Sequence, residues 1–221
     1  MNFMQAVITK NECATKDKSC YLDAMSSTTC HIKRIFDIAG ATLSMILFSP
    51  LFLVIAIAIK REDAGSVLFR QERVGHKGKI FTLFKFRTMI MNAEASGKPQ
   101  LCRKRDLRLT NVGRFLREHH LDELPQLWNV LKGDMSFVGP RPERKFFVDQ
   151  IMAVNPNYEL LYQIRPGLFS HATLYNGYTD TMEKMQKRLE MDLEYLRTRS
   201  LWVDTKIIFL TVVSILSGKK F

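Results

Sequence analysis

Apolar positions run almost unbroken over residues 35–59 and again over 201–216, and the stretch between them alternates in shorter periods. The first block is interrupted only by Asp37, small polar residues and Pro50. As one straight helix it would span roughly 37 Å at about 1.5 Å per residue, enough to cross a hydrocarbon core. Pro50 removes a backbone donor and collides with the preceding turn, so a bend is predicted there. Ser49 is placed to return a hydrogen bond to the freed backbone. Basic pairs flank both ends, Lys33-Arg34 before and Lys60-Arg61 after. A crossing helix has one basic side. Two basic ends favour a re-entrant helix that breaks at Ser49-Pro50 and leaves on the face it entered. A kinked spanning helix and a buried core helix are the alternatives. Asp37 either pairs with Arg34 three residues earlier or lies as an interfacial charge.

Residues 64–87 read as a β-hairpin with a Gly75-His-Lys-Gly78 turn and a second arm rich in aromatic and β-branched residues. In that arm Ile80, Thr82, Phe84 and Phe86 form one face, apolar apart from Thr82. The other face ends in Lys85 and Arg87, which therefore point the same way, either at a ligand or as a solvated cationic edge. A polar loop over 93–105 follows. Thr110 caps a short helix on which Arg114 and Arg117 share a face. Pro125 is tolerable only in a first helical turn, which predicts a helix start near Asp122, an apolar stripe of Leu124, Leu127, Trp128 and Leu131, and a stop at Gly133. Residues 182–196 predict a charged, exposed helix. Residues 201–216 suit an amphipathic helix lying in a membrane interface, or a core helix. The fold class is α+β, mostly helical: a monotopic membrane protein with an N-terminal re-entrant (broken) helix, a small β-hairpin and interfacial amphipathic helices. Its expected parts are a poorly ordered extension (1–30), the re-entrant helix (31–61) and a cytoplasmic catalytic domain with a C-terminal interfacial helix (62–221).

Charge narrows the partners. The 221 residues carry 33 Lys+Arg against 22 Asp+Glu, a net +11. That surplus fits anionic lipid, nucleic acid or phosphate-rich small molecules. The apolar block turns the choice toward lipid and a nucleotide-like substrate, and no nucleic acid partner is expected. Cysteines 13, 20, 30 and 102 match no zinc spacing and read as free thiols in a reducing compartment. The first thirty residues lack the apolar core of a signal peptide.

The chemistry concentrates in Leu121–Ser136 and Val138-Gly-Pro-Arg-Pro142. A carboxylate can act as a covalent nucleophile, a second can hold Mg²⁺, and an arginine can grip phosphate bidentately. Asp122 and Glu123 also suit a purely structural role, because acids favour helix N-termini. Against that reading stand Arg114 and Arg117 just before the pair, and Asp134 and Arg141 just after it. Adjacent helical positions diverge by about 100°, so separate roles are more natural than a shared-proton dyad.

These blocks, with Lys33-Arg34, Asp37, Ser49-Pro50, Phe69-Arg-Gln-Glu-Arg-Val-Gly75, Lys85-Phe-Arg-Thr-Met89, Asp106-Leu-Arg-Leu-Thr110, Gly113-Arg-Phe-Leu-Arg117 and Arg165-Pro-Gly167, resemble the monotopic phosphoglycosyl transferases, the bacterial sugar transferase family. The resemblance implies transfer of a phospho-sugar from a UDP-sugar to polyprenyl (undecaprenyl) phosphate with release of UMP, as the first membrane step of exopolysaccharide, capsule or glycoconjugate assembly. It implies Asp122 as nucleophile, forming an acyl phosphate, and Glu123 as the ligand of Mg²⁺. Phosphate oxygens would be held by Arg141 and Arg117, with Lys85 and Arg87 as further phosphate-binding cations. Lys33 and Arg34 would sit at the membrane boundary and Ser49-Pro50 would form the break. The expected location is the cytoplasmic face of the bacterial inner membrane, with membrane lipid as partner; the oligomeric state is left open. The chain departs from the family pattern at Leu168-Phe-Ser-His-Ala-Thr-Leu-Tyr175, a stretch implicated in sugar recognition, so the sugar is not transferable from relatives. The rival reading is a non-catalytic basic adaptor at the membrane surface.

Overall fold

Helix formation begins where a side chain satisfies the free amides of a first turn. Ser26 does this for α1 (Ser27–Leu47), accepting from the Thr29 amide. This computed structural model describes residues 23–91, 93, 106–176 and 181–217. In it α1 is followed at once by α2 (Ser49–Glu62), and the two are bent by 60°. Pro50 lies in the first turn of α2, where its missing N–H is not needed. Ser49 Oγ donates to the Ile46 carbonyl at 2.8 Å, the bond expected from the sequence. Among the described residues no single helix is long and apolar enough to cross a membrane; only the bent pair together has that length and composition. The helix starts earlier than the boundary expected near residue 30. Asp23 is bound to Arg199 by two hydrogen bonds of 2.5 and 2.7 Å, so residues 23–30 belong to the folded body. The remainder of the expected extension lies outside the described residues, as does nearly all of the 93–105 loop.

The stripe that α1 turns inward is Lys33, Asp37 and Ala41. Lys33 Nζ pairs with Asp204 at 2.5 Å and Asp37 at 3.9 Å. Arg34 donates to the Val130 and Leu131 carbonyls at 2.6 and 2.8 Å, and Asp37 accepts from the Phe137 amide rather than from Arg34. Lys33 and Arg34 thus serve internal partners. A charge turned into a packed interface needs a partner or carbonyls to bind.

The hairpin pairs β1 (Leu68–Val74) with β2 (Ile80–Phe86) in the register Phe69↔Lys85 and Arg73↔Phe81. Over residues 80–84 it buries the face opposite to the nearly apolar one, and at its end Phe86 of the nearly apolar face is buried against Ile55, Ile59 and Leu116. Phe81 and Leu83 pack with Ala41, Leu127, Val130 and Met135, while Ile80 is 49% exposed. Lys85 consequently points inward with them and is no solvated edge. The end of α2 reaches α3 (Asn111–Glu118), whose Asn111 and Val112 amides donate to Glu62 at 2.6 and 2.9 Å. Thr110 completes that cap, as expected.

Past α3 the chain differs from expectation. Leu121–Glu123 is a 3₁₀ turn, and the helix α4 (Gln126–Lys132) starts four residues after Asp122. Its buried apolar positions are Leu127 and Val130, whereas Trp128 is exposed. Pro125 accounts for the late start: its missing donor suits the residue just before a helix. Gly133 ends α4 at φ 96°, a conformation that favours glycine.

Strand β3 (Ser136–Val138) lies parallel to β4 (Gly167–Phe169). Val138 of this pair shares a core with α5 (Lys145–Val154), a 3₁₀ segment (Pro156–Gln163) and a long helix, α7 (Met182–Thr198), against which the short α6 (His171–Asn176) packs. The α7 helix, expected to be exposed, is a core element: Met185, Leu189, Leu193 and Leu196 are buried, and Arg188 and Asp192 are buried beside them. Apolar spacing was present in the sequence, but the charges interleaved with it masked the face. Finally α8 (Leu201–Leu216) has the expected limits.

Candidate active site

Three pieces of chain converge: the end of β2, the 3₁₀ turn over Leu121–Glu123 and the loop after β3. Lys85 Nζ lies 2.6 Å from Glu123 Oε1 and 3.9 Å from Asp122 Oδ2. Arg141 Nη2 donates to the same Oε1 at 3.0 Å. Arg117 Nε donates to Thr88 Oγ1 at 2.9 Å, and its charge acts on Asp122. The structure therefore brings together Asp122, Glu123, Lys85, Arg117 and Arg141. Arg87 stands apart. It donates to the Asp63 carbonyl at 2.8 Å and sits 3.6 Å from the Asp63 carboxylate, fastening the link between α2 and β1. The strand ends at Phe86, so the alternation that aligned Arg87 with Lys85 no longer applies. Lys33, Arg34, Ser49 and Pro50 act within the helical frame already described.

The two acids have different environments. Burial alone raises both pKa values. At Glu123 the charges of Lys85 and Arg141 outweigh burial and hold the carboxyl below the ordinary range. At Asp122, 5% exposed, burial prevails over Lys85, and the Glu123 charge adds to it, so this carboxyl is raised. Neighbouring titratable groups pushed in opposite directions point to separate roles. His120, the residue that starts the turn, holds a left-handed φ of 56°, and burial lowers its pKa. Strained backbone of this kind tends to mark functional sites.

Several supporting residues escaped the sequence reading. Asn129, with no exposed surface, closes the free edge of β2: Nδ2 donates to the Thr82 carbonyl at 2.7 Å, and Oδ1 accepts from the Phe84 amide at 3.1 Å. That holds the strand carrying Lys85 against α4. Glu143, directly after the Pro-Arg-Pro turn, lies between Arg73 at 3.1 Å and Arg188 at 2.5 Å. These arginines keep its carboxyl ionised against burial. Arg73 Nη1 also donates to the Pro142 carbonyl, so the loop bearing Arg141 is gripped from behind. Gly139 lets the two parallel strands close: a Cβ there would stand 2.4 Å from the Arg165 carbonyl oxygen. The Arg165-Pro-Gly block is structural, with Arg165 Nε donating to the Gly133 carbonyl at 2.9 Å. One signal was available in advance. Arg188 and Asp192 share the periodicity of Leu189 and Leu193, and a charge on an apolar face requires a buried partner.

For a divalent cation the donor set is small. Among the described residues no group of three or more His, Cys, Asp or Glu is arranged to hold a metal. Both cations on Glu123 hydrogen-bond to Oε1, leaving Oε2 without such a bond. One or two carboxylates completed by water and substrate phosphates is the usual manner of Mg²⁺ binding, so the residues present fit that ion.

Comparison with known proteins follows the same lines. The family model described as bacterial sugar transferase matches residues 28–218. Over 187 residues the chain is 43% identical to the UDP-N-acetylgalactosamine-undecaprenyl-phosphate N-acetylgalactosaminephosphotransferase of Aeromonas hydrophila, covering 85% of this chain and 44% of that protein. It is 47% identical over 182 residues to the UDP-glucose:undecaprenyl-phosphate glucose-1-phosphate transferase of Klebsiella pneumoniae, covering 81% and 39%. A protein of the same description from Caulobacter vibrioides is 46% identical over 187 residues, covering 84% and 70%. The chain thus spans about two fifths of the length of the first two relatives. The match runs through α1, the Asp122-Glu123 turn and α8, and on that extent and identity the chain belongs to the bacterial sugar transferase family.

Proposed function

We propose that this protein transfers a sugar 1-phosphate from a UDP-sugar to a polyprenyl phosphate such as undecaprenyl phosphate, releasing UMP. The single observation that carries this reading is the meeting of a buried carboxylate, Asp122, with Lys85, Arg117, Glu123 and Arg141. An Asp122 oxygen attacks the sugar-bearing phosphorus, the bond to the bridging oxygen breaks, and UMP departs with that electron pair. The product is an aspartyl phospho-sugar. An oxygen of the lipid phosphate then attacks the same phosphorus and the carboxylate leaves, giving a polyprenyl diphospho-sugar. Burial favours the first step because a poorly hydrated anion is a stronger nucleophile. Lys85 and Arg141 offer charge to the phosphate oxygens, and Arg117 lies within the field of the nucleophile. Mg²⁺ held by Glu123 and the diphosphate would neutralise charge developing on UMP.

The site belongs at a membrane surface. Helices α1 and α8 are polar inside and apolar outside: Lys33, Asp37, Asp204 and Thr211 are buried, while Ile35, Phe36, Leu43, Trp202 and Phe209 are exposed. Exposed apolar faces of this extent suit lipid. With the 60° bend and exposed apolar residues on both helices, among them Leu43, Leu53 and Ile57, the pair α1–α2 fits a re-entrant element on the cytoplasmic face of the inner membrane.

The test is UMP release from a panel of UDP-sugars with polyprenyl phosphate and Mg²⁺. Asp122→Asn is expected to abolish release and covalent labelling while leaving the melting curve of a folded protein. Full activity in that variant would falsify the nucleophile. Cysteine accessibility at the two ends of the α1–α2 pair tests the topology separately, and ends on opposite sides would overturn the re-entrant form alone. A basic adaptor without catalysis would release no UMP.

A further inference from the structure

An open groove of about 480 Å³ lies between β1 and the start of α5. Its lining includes Phe69, Gln71, Arg144, Lys145 and Phe146. Cross-strand partners share a face. Phe69 pairs with Lys85 and Gln71 with Leu83, so both stand on the side of the hairpin that carries Lys85. The opposite wall begins three residues after Arg141. The groove runs along the hairpin, with Arg70, Glu72 and Ile80 of the opposite face also in its lining, and Phe69, the partner of Lys85, and Arg144, three residues after Arg141, are the points at which it leads toward the charged cluster.

The lining suits a flat heterocycle next to an anion. Phe69 and Phe146 are 43% and 48% exposed, so each presents ring surface to the groove. Gln71 is already oriented: Oε1 accepts from Nε of Arg73 at 3.0 Å and from its Nη2 at 2.5 Å. A guanidinium only donates, so the amide oxygen must face Arg73 and both N–H groups of Nε2 are left to donate elsewhere. Uracil offers two carbonyl acceptors. The volume lies within the range of small-molecule sites.

Resting on the proposed reaction, we infer that this groove is the nucleoside subsite of the sugar donor. The uracil ring lies against Phe69 and Phe146, and Gln71 Nε2 donates to its O4 carbonyl oxygen. The diphosphate then runs past Arg144 toward Arg141 and Asp122. Gln71 acts as a specificity-determining residue, selecting uracil, whose O4 accepts, over cytosine, which carries an amino donor at the same position.

Binding without turnover tests this. UMP, CMP and inorganic pyrophosphate are titrated calorimetrically into the purified full chain and into Gln71→Leu and Phe146→Ala, both checked by thermal melting. Each variant is expected to bind UMP about tenfold more weakly, the scale of one unsatisfied hydrogen bond or a lost ring contact. Pyrophosphate affinity should stay unchanged, and Gln71→Leu should lose the preference for UMP over CMP. Unchanged UMP affinity in both folded variants, with a wild-type protein that binds UMP and turns over UDP-sugar, would overturn the subsite and leave the reaction standing. Equal losses for UMP and pyrophosphate would also overturn it, since the groove would then read phosphate. A wild-type chain that neither binds UMP nor releases it would remove both.

Discussion

Asp122 and Glu123 are adjacent in the chain, yet their surroundings give them opposite proton affinities. The difference comes largely from neighbours far away in sequence: Lys85 and Arg141 bind Glu123, while Asp122 has the longer 3.9 Å approach of Lys85, with Arg117 and His120 acting on it through their charge. Glu123→Gln should strand two cations that share one carboxylate oxygen. We expect a stability loss of about 2–3 kcal/mol in urea unfolding, together with loss of UMP release. Asn129 is the other residue whose removal is informative. Asn129→Ala leaves the Phe84 amide and Thr82 carbonyl of an otherwise closed strand edge without partners. Two unsatisfied buried groups predict a cost of about 2–4 kcal/mol. A change below about 0.5 kcal/mol would mean that the β2 edge is closed by something else.

At the scale of elements, the helices that face outward with apolar side chains are held inward by charge. Lys33 on α1 and Asp204 on α8 form a buried pair, and Tyr195 on α7 donates to the same Asp204 at 2.6 Å. Asp37 adds a bond to the Phe137 amide, one strand before the loop of Arg141. The frame that would sit in lipid is thereby tied to the loop that would hold phosphate. Lys33→Ala leaves Asp204 buried and unpaired, and chemical denaturation should register a loss of about 3–5 kcal/mol. Replacing both partners by apolar residues, Lys33→Met with Asp204→Leu, should recover a large part of it. A double variant no better than the single one would show that the pair stabilises beyond charge compensation.

For the whole molecule, burial of ionisable groups makes stability depend on pH in a traceable way. Asp192 on α7 is 3% exposed, and burial pushes its pKa up to about 7, with Arg188 and the Ser170 hydroxyl only partly offsetting it. Its folded-state value exceeds the unfolded value of about 3.9. The folded protein therefore holds a proton that the unfolded chain has lost between about pH 4 and pH 7, and this group's contribution falls as pH rises through that window, levelling off above it. Asp192→Asn keeps the acceptor for Ser170 and removes the titration. Near pH 4 the variant should match the wild type. By pH 8 it should be the more stable of the two, by at most about 4 kcal/mol. A stability difference that stays flat from pH 4 to pH 8 would contradict the buried, protonated state.

The sequence by itself determined features set by neighbouring residues. The break at Ser49-Pro50, the Thr110 cap, the stop at Gly133, the hairpin and the limits of α8 follow from local backbone rules. The Asp-Glu pair, the Pro-Arg-Pro turn and the family resemblance were legible as ordered motifs. Tertiary structure alone decided which cations meet which carboxylates. Lys33 and Arg34 turned to internal partners, Arg87 to Asp63, and Lys85 to Glu123, because those choices depend on contacts across many tens of residues. It also decided that α7 is buried and that the hairpin packs through Phe81 and Leu83. A period of two names the faces of a strand but not which of them the core will cover, and charge on an apolar stripe is explained only once its partner is in place.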